Sequence, residues 1–207
     1  KKVNSKNVSR KKVNSKNVSR KKVNSKNVSR KKVNSKNVIS ITKQLKSGLT
    51  IHIKERNTFN NNTLLFMVKT GGLNEGKYSG ISHLLEHLFL SGTKTSPSSS
   101  VLNKSLEKYG TKINGYTSHE VTAIHMTFLP SKLNKIFKIF CQILKESVLD
   151  SYKIEEEKTV VLNEKFYRKD LIQNELYKKS IQYIFNNTIM EELVIGDGKT
   201  LKLIKKH

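Results

Sequence analysis

The first 38 residues are one decapeptide, KKVNSKNVSR, in three identical copies followed by KKVNSKNV. That unit has little with which to build a core. Each copy offers two valines, and burying them does not offset the entropy of ordering ten residues, which costs about 1–2 kcal/mol for each residue's backbone. Ten residues is also shorter than the repeat of ordinary solenoids. Disorder is therefore the expectation for 1–38, and whatever folds must be made from 39–207.

The same break divides the charge. Residues 1–38 contain fifteen Lys and Arg and no acid, so they carry +15 of the formal +24 and leave +9 on the remainder. A basic segment of this kind is attracted to any polyanion, but it has no aromatic side chain on which a base could stack. Specific nucleic-acid binding is not expected. Nor is a membrane span, because no run of eighteen apolar residues occurs. An acid-free basic start loosely suits an organelle transit peptide, yet perfect tandem copies fit a duplication better. The single Cys141 excludes an internal disulfide and suits a reducing compartment. Cytoplasmic placement is favoured on that ground, with the mitochondrion or another organelle as the alternative. Cys141 itself lies in the apolar run FKIFCQIL and reads as a packing residue.

From residue 48 onward the pattern becomes that of a folded domain. GLTIHIKER at 48–56 alternates, with Leu49, Ile51 and Ile53 on one side, as a half-buried strand should. NTLLFMVKT at 62–70 is a second strand, and strands are expected at about 112–118 and 121–129. Helices are expected at about 80–90, with Ser79 as its cap, at 98–109, 131–147 and 150–168, and at 170–185. In the third of these, Leu133, Ile136, Phe137, Ile139, Phe140, Ile143 and Leu144 make a wide apolar face. The expected fold is α+β, with an antiparallel or mixed sheet of about four strands packed against helices. The final TLKLIKKH starts like a helix and reads as cut.

Helix 80–90 contains HLLEH, with His83, Glu86 and His87 three and four residues apart and hence on one face. Two imidazoles at i and i+4 can grip one zinc ion, and a carboxylate between them can reach a water in its open position. Chance supplies about 0.01 such matches in a chain of this composition, so a merely polar helix face is the poorer explanation. A catalytic zinc needs a third protein ligand. The helix over 150–168 offers Glu157 and Glu164, seven residues apart on one face, and spacing alone leaves the choice open. His52, His119 and His125 read as packed or surface histidines.

The strings GISHLLEHLFLSGT, KINGYTSHEVT and EEEKTVVLNEKFYRKD resemble the inverted zincins, the metallopeptidases of the pitrilysin, insulin-degrading-enzyme and mitochondrial-processing-peptidase type. The resemblance runs over about 48–204, including LVIGDGKTLKLI at 193–204. It implies the LuxS-like/pitrilysin domain fold. It also implies a third ligand 77 positions after the second histidine, which is Glu164. His83, His87 and Glu164 would then hold one zinc ion, Glu86 would serve as general base, and Glu157 would hydrogen-bond a ligating imidazole. Asn114–Gly115–Tyr116–Thr117–Ser118 resembles the family's strand edge that receives the substrate, so Asn114 and Gly115 are expected to bind peptide; Gly115 replaces the usual alanine.

What the resemblance implies, then, is a zinc endopeptidase domain over 39–207 acting on peptides or presequences. The family pairs this domain with a second, similar domain or subunit, which this sequence does not contain, so the expected domain is incomplete. Two alternatives stand beside the enzyme: a noncatalytic substrate-binding subunit of a two-part peptidase, and an inactive truncated fragment.

Overall fold

A computed structural model describes residues 28–32, 38–56, 58–191 and 194–205. The chain divides into two compact units, Lys1–Thr58 and Phe59–His207.

In the first unit, β1 (Val28–Lys32), β2 (Val38–Gln44) and β3 (Thr50–Arg56) form an antiparallel sheet in that order. The β2–β3 hairpin turns at 45–49, where the Leu45 amide donates to the Leu49 carbonyl and Gly48 takes φ 87°. Ile41 faces Ile53, and the Thr42 hydroxyl meets His52 Nδ1 at 2.7 Å across the ladder. Two expectations change here. Disorder over 1–38 lies outside the described residues except at Val28–Lys32 and Val38, which are strand. Main-chain pairing accounts for that, since a ladder satisfies backbone N–H and C=O groups without a buried side chain. The strand expected at 48–56 does form, but every β3 residue is exposed rather than half-buried.

The second unit contains the other sheet, in order β4–β6–β5, from β4 (Asn62–Val68), β5 (Ile113–Thr117) and β6 (Thr122–Phe128), all antiparallel. Its helices are α1 (Ile81–Leu90), α2 (Ser99–Glu107), α3 (Leu133–Glu146), α4 (Ser151–Lys169), α5 (Ile172–Ile184) and α6 (Gly198–Leu203). The architecture is α+β with two three-stranded antiparallel sheets. Among the described residues β3 pairs with the β-branched VISITKQ segment of β2, a strand not expected from the sequence.

The central strand β6 buries Ala123, Ile124, Met126 and Phe128. Against these pack Leu102 and Leu106 of α2 and Ile136, Phe140 and Ile143 of α3, forming one core. Each large apolar side chain so buried contributes about 1.5–3 kcal/mol. Phe137, expected on this face, is 52% exposed. A second core joins Leu84 and Leu88 of α1 to Ile154 and Val161 of α4 and to Ile195, Leu201 and Ile204. Helix α1 thus lies between β5 and α4, touching both.

The start of α1 is fixed by backbone contacts that leave no room for side chains. Gly80 has φ 92°, and a Cβ there would stand 2.9 Å from Gly196 Cα. A Cβ on Gly196 would stand 2.5 Å from Gly80 Cα, and the Thr200 hydroxyl donates to the Ser79 carbonyl at 2.8 Å. Ser79 does not cap the helix. The buried Glu75 carboxylate does so from one turn upstream, accepting from the amides of Gly80 at 2.6 Å and Ser82 at 2.8 Å. A carboxylate at this end satisfies amides with no partner inside the helix and complements its dipole.

Candidate metal centre

Two helices face each other with complementary stripes. On α1, the apolar Leu84 and Leu88 enter the second core while His83, Glu86 and His87 line the adjoining face. On α4, Ile154, Glu157, Val161 and Glu164 recur at three- and four-residue steps. Ile154 and Val161 anchor the helix in that core, so the carboxylates that alternate with them along the stripe, Glu157 and Glu164, are carried to the histidines. Asp150 starts α4 by accepting from the Lys153 amide at 2.8 Å.

His83, His87 and Glu164 each place one ligand atom within 4.8 Å of the others, the group among the described residues able to hold a metal ion. Glu164 Oε2 lies 3.7 Å from His83 Nε2 and 3.2 Å from His87 Nε2. Two ligands of one tetrahedral zinc, each about 2.1 Å from it, stand about 3.4 Å apart. The donor set therefore fits such an ion, with two imidazoles and one carboxylate leaving a position open. The imidazole rings meet edge to face, 4.7 Å between centroids.

In the metal-free chain the two imidazoles titrate on opposite sides of neutral pH. Burial, aided by the neighbouring His87, lowers the His83 pKa to about 4, so that ring is neutral and able to ligate at neutral pH. Its Nδ1 is buried without a hydrogen-bond partner. Burial alone would also lower His87, but the carboxylates of Glu157 and Glu164 override it and raise the pKa to about 9. The His87 contact holds Glu164 down, to about 2, against its own burial. Glu157 Oε2 sits 3.6 Å from His87 Nδ1, an ion-pair distance rather than a hydrogen bond, and Lys153 Nζ lies 3.7 Å from its other oxygen. Glu86 is buried, and desolvation raises its pKa despite a hydrogen bond from the Thr117 hydroxyl.

The structure brings together His83, His87 and Glu164 and sets Glu157 beside them. Asn114 and Gly115 lie on β5, an outer strand of its sheet, where the Asn114 side chain accepts from the Gly115 amide at 2.9 Å. Gly115 also faces Glu86. His52 and His125 stand outside the group, in β3 and β6. Three contributors were not read from the sequence. Arg168 pairs with Glu164, a contact that its i+4 position allows. Glu75 caps α1, and Thr117 bonds Glu86 from β5.

The family model described as insulinase, peptidase family M16, matches residues 50–191. An uncharacterized zinc protease of Rickettsia bellii is 27% identical over 79% of this chain and 40% of its own length. The mitochondrial-processing peptidase subunit beta of Saccharomyces cerevisiae is 28% identical over 80% of this chain and 36% of its own. This chain thus spans 40% or less of the length of these two relatives. The crystal structure of a protease from Helicobacter pylori shares the fold with a TM-score of 0.72 and 22% identity, over 80% of this chain and 40% of that one. Among the described residues, no helix is long and apolar enough to cross a membrane. With its matched segment spanning the α1 and α4 stripes, the chain belongs to the insulinase family of peptidases, family M16.

Proposed function

We propose that this chain is the metal-binding domain of a zinc endopeptidase, in which His83, His87 and Glu164 hold one zinc ion and Glu86 is the general base. The observation that carries this is the convergence of three ligand atoms, from two helices, within 4.8 Å of one another, with Glu164 Oε2 at 3.7 and 3.2 Å from the two imidazole nitrogens. Bound zinc would supply Lewis acidity, making water more acidic and polarising the peptide carbonyl. Glu86 takes the proton as water adds to that carbonyl, then delivers it to the leaving amine as the C–N bond breaks. Its raised pKa suits a group that must give the proton back. Glu157 orients His87 by charge, a kind of support whose loss typically costs about 10- to 100-fold.

Peptide would reach the site as a strand added to β5, with Asn114 and Gly115 contributing main-chain contacts that select no particular sequence. For this the Asn114 side chain must release the Gly115 amide. A second domain or subunit would close over the substrate, a reading supported by the yeast relative, which is by name one subunit of a peptidase. That relative's name also supports the mitochondrial alternative over the cytoplasmic one. A noncatalytic role is disfavoured because the ligand set and the base are both present.

Zinc analysis and peptide turnover test the assignment. One zinc per chain is expected, lost in His83→Ala, together with turnover, alone or with an added partner, that Glu86→Gln abolishes while retaining zinc. Turnover surviving in Glu86→Gln would remove Glu86 from its role, and a wild-type chain that takes up no zinc would overturn the reading.

A further inference from the structure

Strand β5 offers α1 two positions, Gly115 and Thr117, which lie two residues apart and so on one face of the strand. They meet opposite ends of the same carboxylate. A Cβ built at Gly115 would stand 2.8 Å from both Cγ and Oε1 of Glu86, and 3.1 Å from the Ala123 carbonyl. Thr117 Oγ1 donates to Glu86 Oε2 at 2.6 Å. One oxygen therefore lies over bare backbone and the other is held by a hydroxyl. Glu86 is only 6% exposed, so little solvent competes for that bond, and the bond is of the strong, charge-assisted kind whenever the carboxylate is ionised.

A glutamate side chain left free to choose among its rotamers spends most of its time away from any one proton-transfer geometry. Fixing such a chain costs side-chain entropy, and a general base must sit within about 2.6–3.2 Å of the proton it takes. We propose that Thr117 is a positioning residue that holds the Glu86 carboxylate in one orientation, in a socket whose floor at Gly115 is bare backbone. Both residues lie on the strand proposed to receive the peptide, so the base and the substrate share one register. This rests on reading Glu86 as the base, but the socket itself is a property of the metal-free chain.

The test uses the full 207-residue chain, zinc-free and then zinc-loaded. The readout is the 13C carboxyl resonance of Glu86, identified by its loss in Glu86→Gln. Thr117→Val is expected to shift and broaden that resonance, and Thr117→Ser to restore it. Thr117→Ala removes the hydroxyl without putting a methyl in its place and should displace the resonance as well, so it serves as a second arm should Thr117→Val fail to fold. In thermal unfolding, Thr117→Val should lower the midpoint of wild type but barely change that of Glu86→Ala, because the partner is already gone. In turnover assays Thr117→Val should lower kcat about tenfold, with KM within about twofold and zinc content unchanged. A resonance unmoved in Thr117→Val or Thr117→Ala, or equal midpoint losses in the two backgrounds, overturns the socket. Zinc content of the same samples separates the two readings. Normal zinc uptake with no Thr117–Glu86 coupling sinks the socket alone, whereas coupling without zinc uptake sinks the peptidase reading and leaves the socket standing.

Discussion

The two sheets of this protein have the same strand count and the same antiparallel pairing, yet they have different relations to burial. All of β3 is exposed, although Ile51 and Ile53 alternate with polar neighbours as in a core strand. In β6, Ala123, Ile124, Met126 and Phe128 are nearly inaccessible, because α2 and α3 cover them. Alternation specifies a strand; what makes its apolar side a core is a second element with a matching face. The proposed metal ligands and the proposed base, Glu86, depend on the covered sheet and the helices packed with it.

That contrast can be broken by substitution. Ile124→Ala should cost about 2–5 kcal/mol in urea unfolding, and Ile53→Ala no more than about 0.5 kcal/mol. Equal losses would show that the first sheet has a core of its own. A glycine pair sharpens the same comparison. Gly196→Ala forces a Cβ against the Gly80 backbone and should cost about 2–3 kcal/mol and weaken zinc retention. Gly48→Ala, in open space with φ 87°, should cost only the roughly 1 kcal/mol of its backbone strain and leave zinc unchanged. If both glycines behave alike, the close approach at α1 has no role in shaping the site.

Smaller again is the cap. Glu75→Ala should lower stability by about 1–2 kcal/mol and loosen the first turn of α1, seen as faster amide exchange at Gly80 and Ser82. Unchanged exchange would assign the cap to other groups. The last effect is electrostatic and belongs to the metal-free chain. His87, raised from 6.5 to about 9, adds stability that is whole below pH 6.5 and lost as pH rises through 9. His83, lowered from 6.5 to about 4, makes folding less favourable as pH falls from 6.5 through 4. The thermal midpoint should therefore peak near pH 6.5, and His87→Gln should flatten the alkaline limb. An alkaline limb unchanged in that variant would disprove the coupling of His87 to Glu157 and Glu164.

Much of this was legible before any coordinates, for reasons tied to range. His83, Glu86 and His87 share a helix, so their spacing places them on one face. The strands β4, β5 and β6 and helices α2 to α5 follow from periodicity and breaker residues. Glu164 needed the family resemblance, since Glu157 occupies the same helical face and periodicity cannot say which of them approaches the histidines. Glu75 was missed because its carboxylate reaches its amides across a loop rather than from the N-cap position. Thr117 was missed because nothing local tells which face of β5 receives α1. Phe137 was placed inside by the breadth of its helical face, but the sheet covers only the stripe of Ile136, Phe140 and Ile143.

The Gly80–Gly196 contact also sets a schedule for biosynthesis. The first two of the proposed ligands leave the ribosome about eighty residues ahead of the third, and the loop that locks their helix follows some thirty residues after that. On the proposed ligand set, a nascent chain bearing only His83 and His87 has an incomplete grip on any ion and a helix whose beginning is still unpinned. Metal capture would then be deferred until translation has passed both α4 and Gly196.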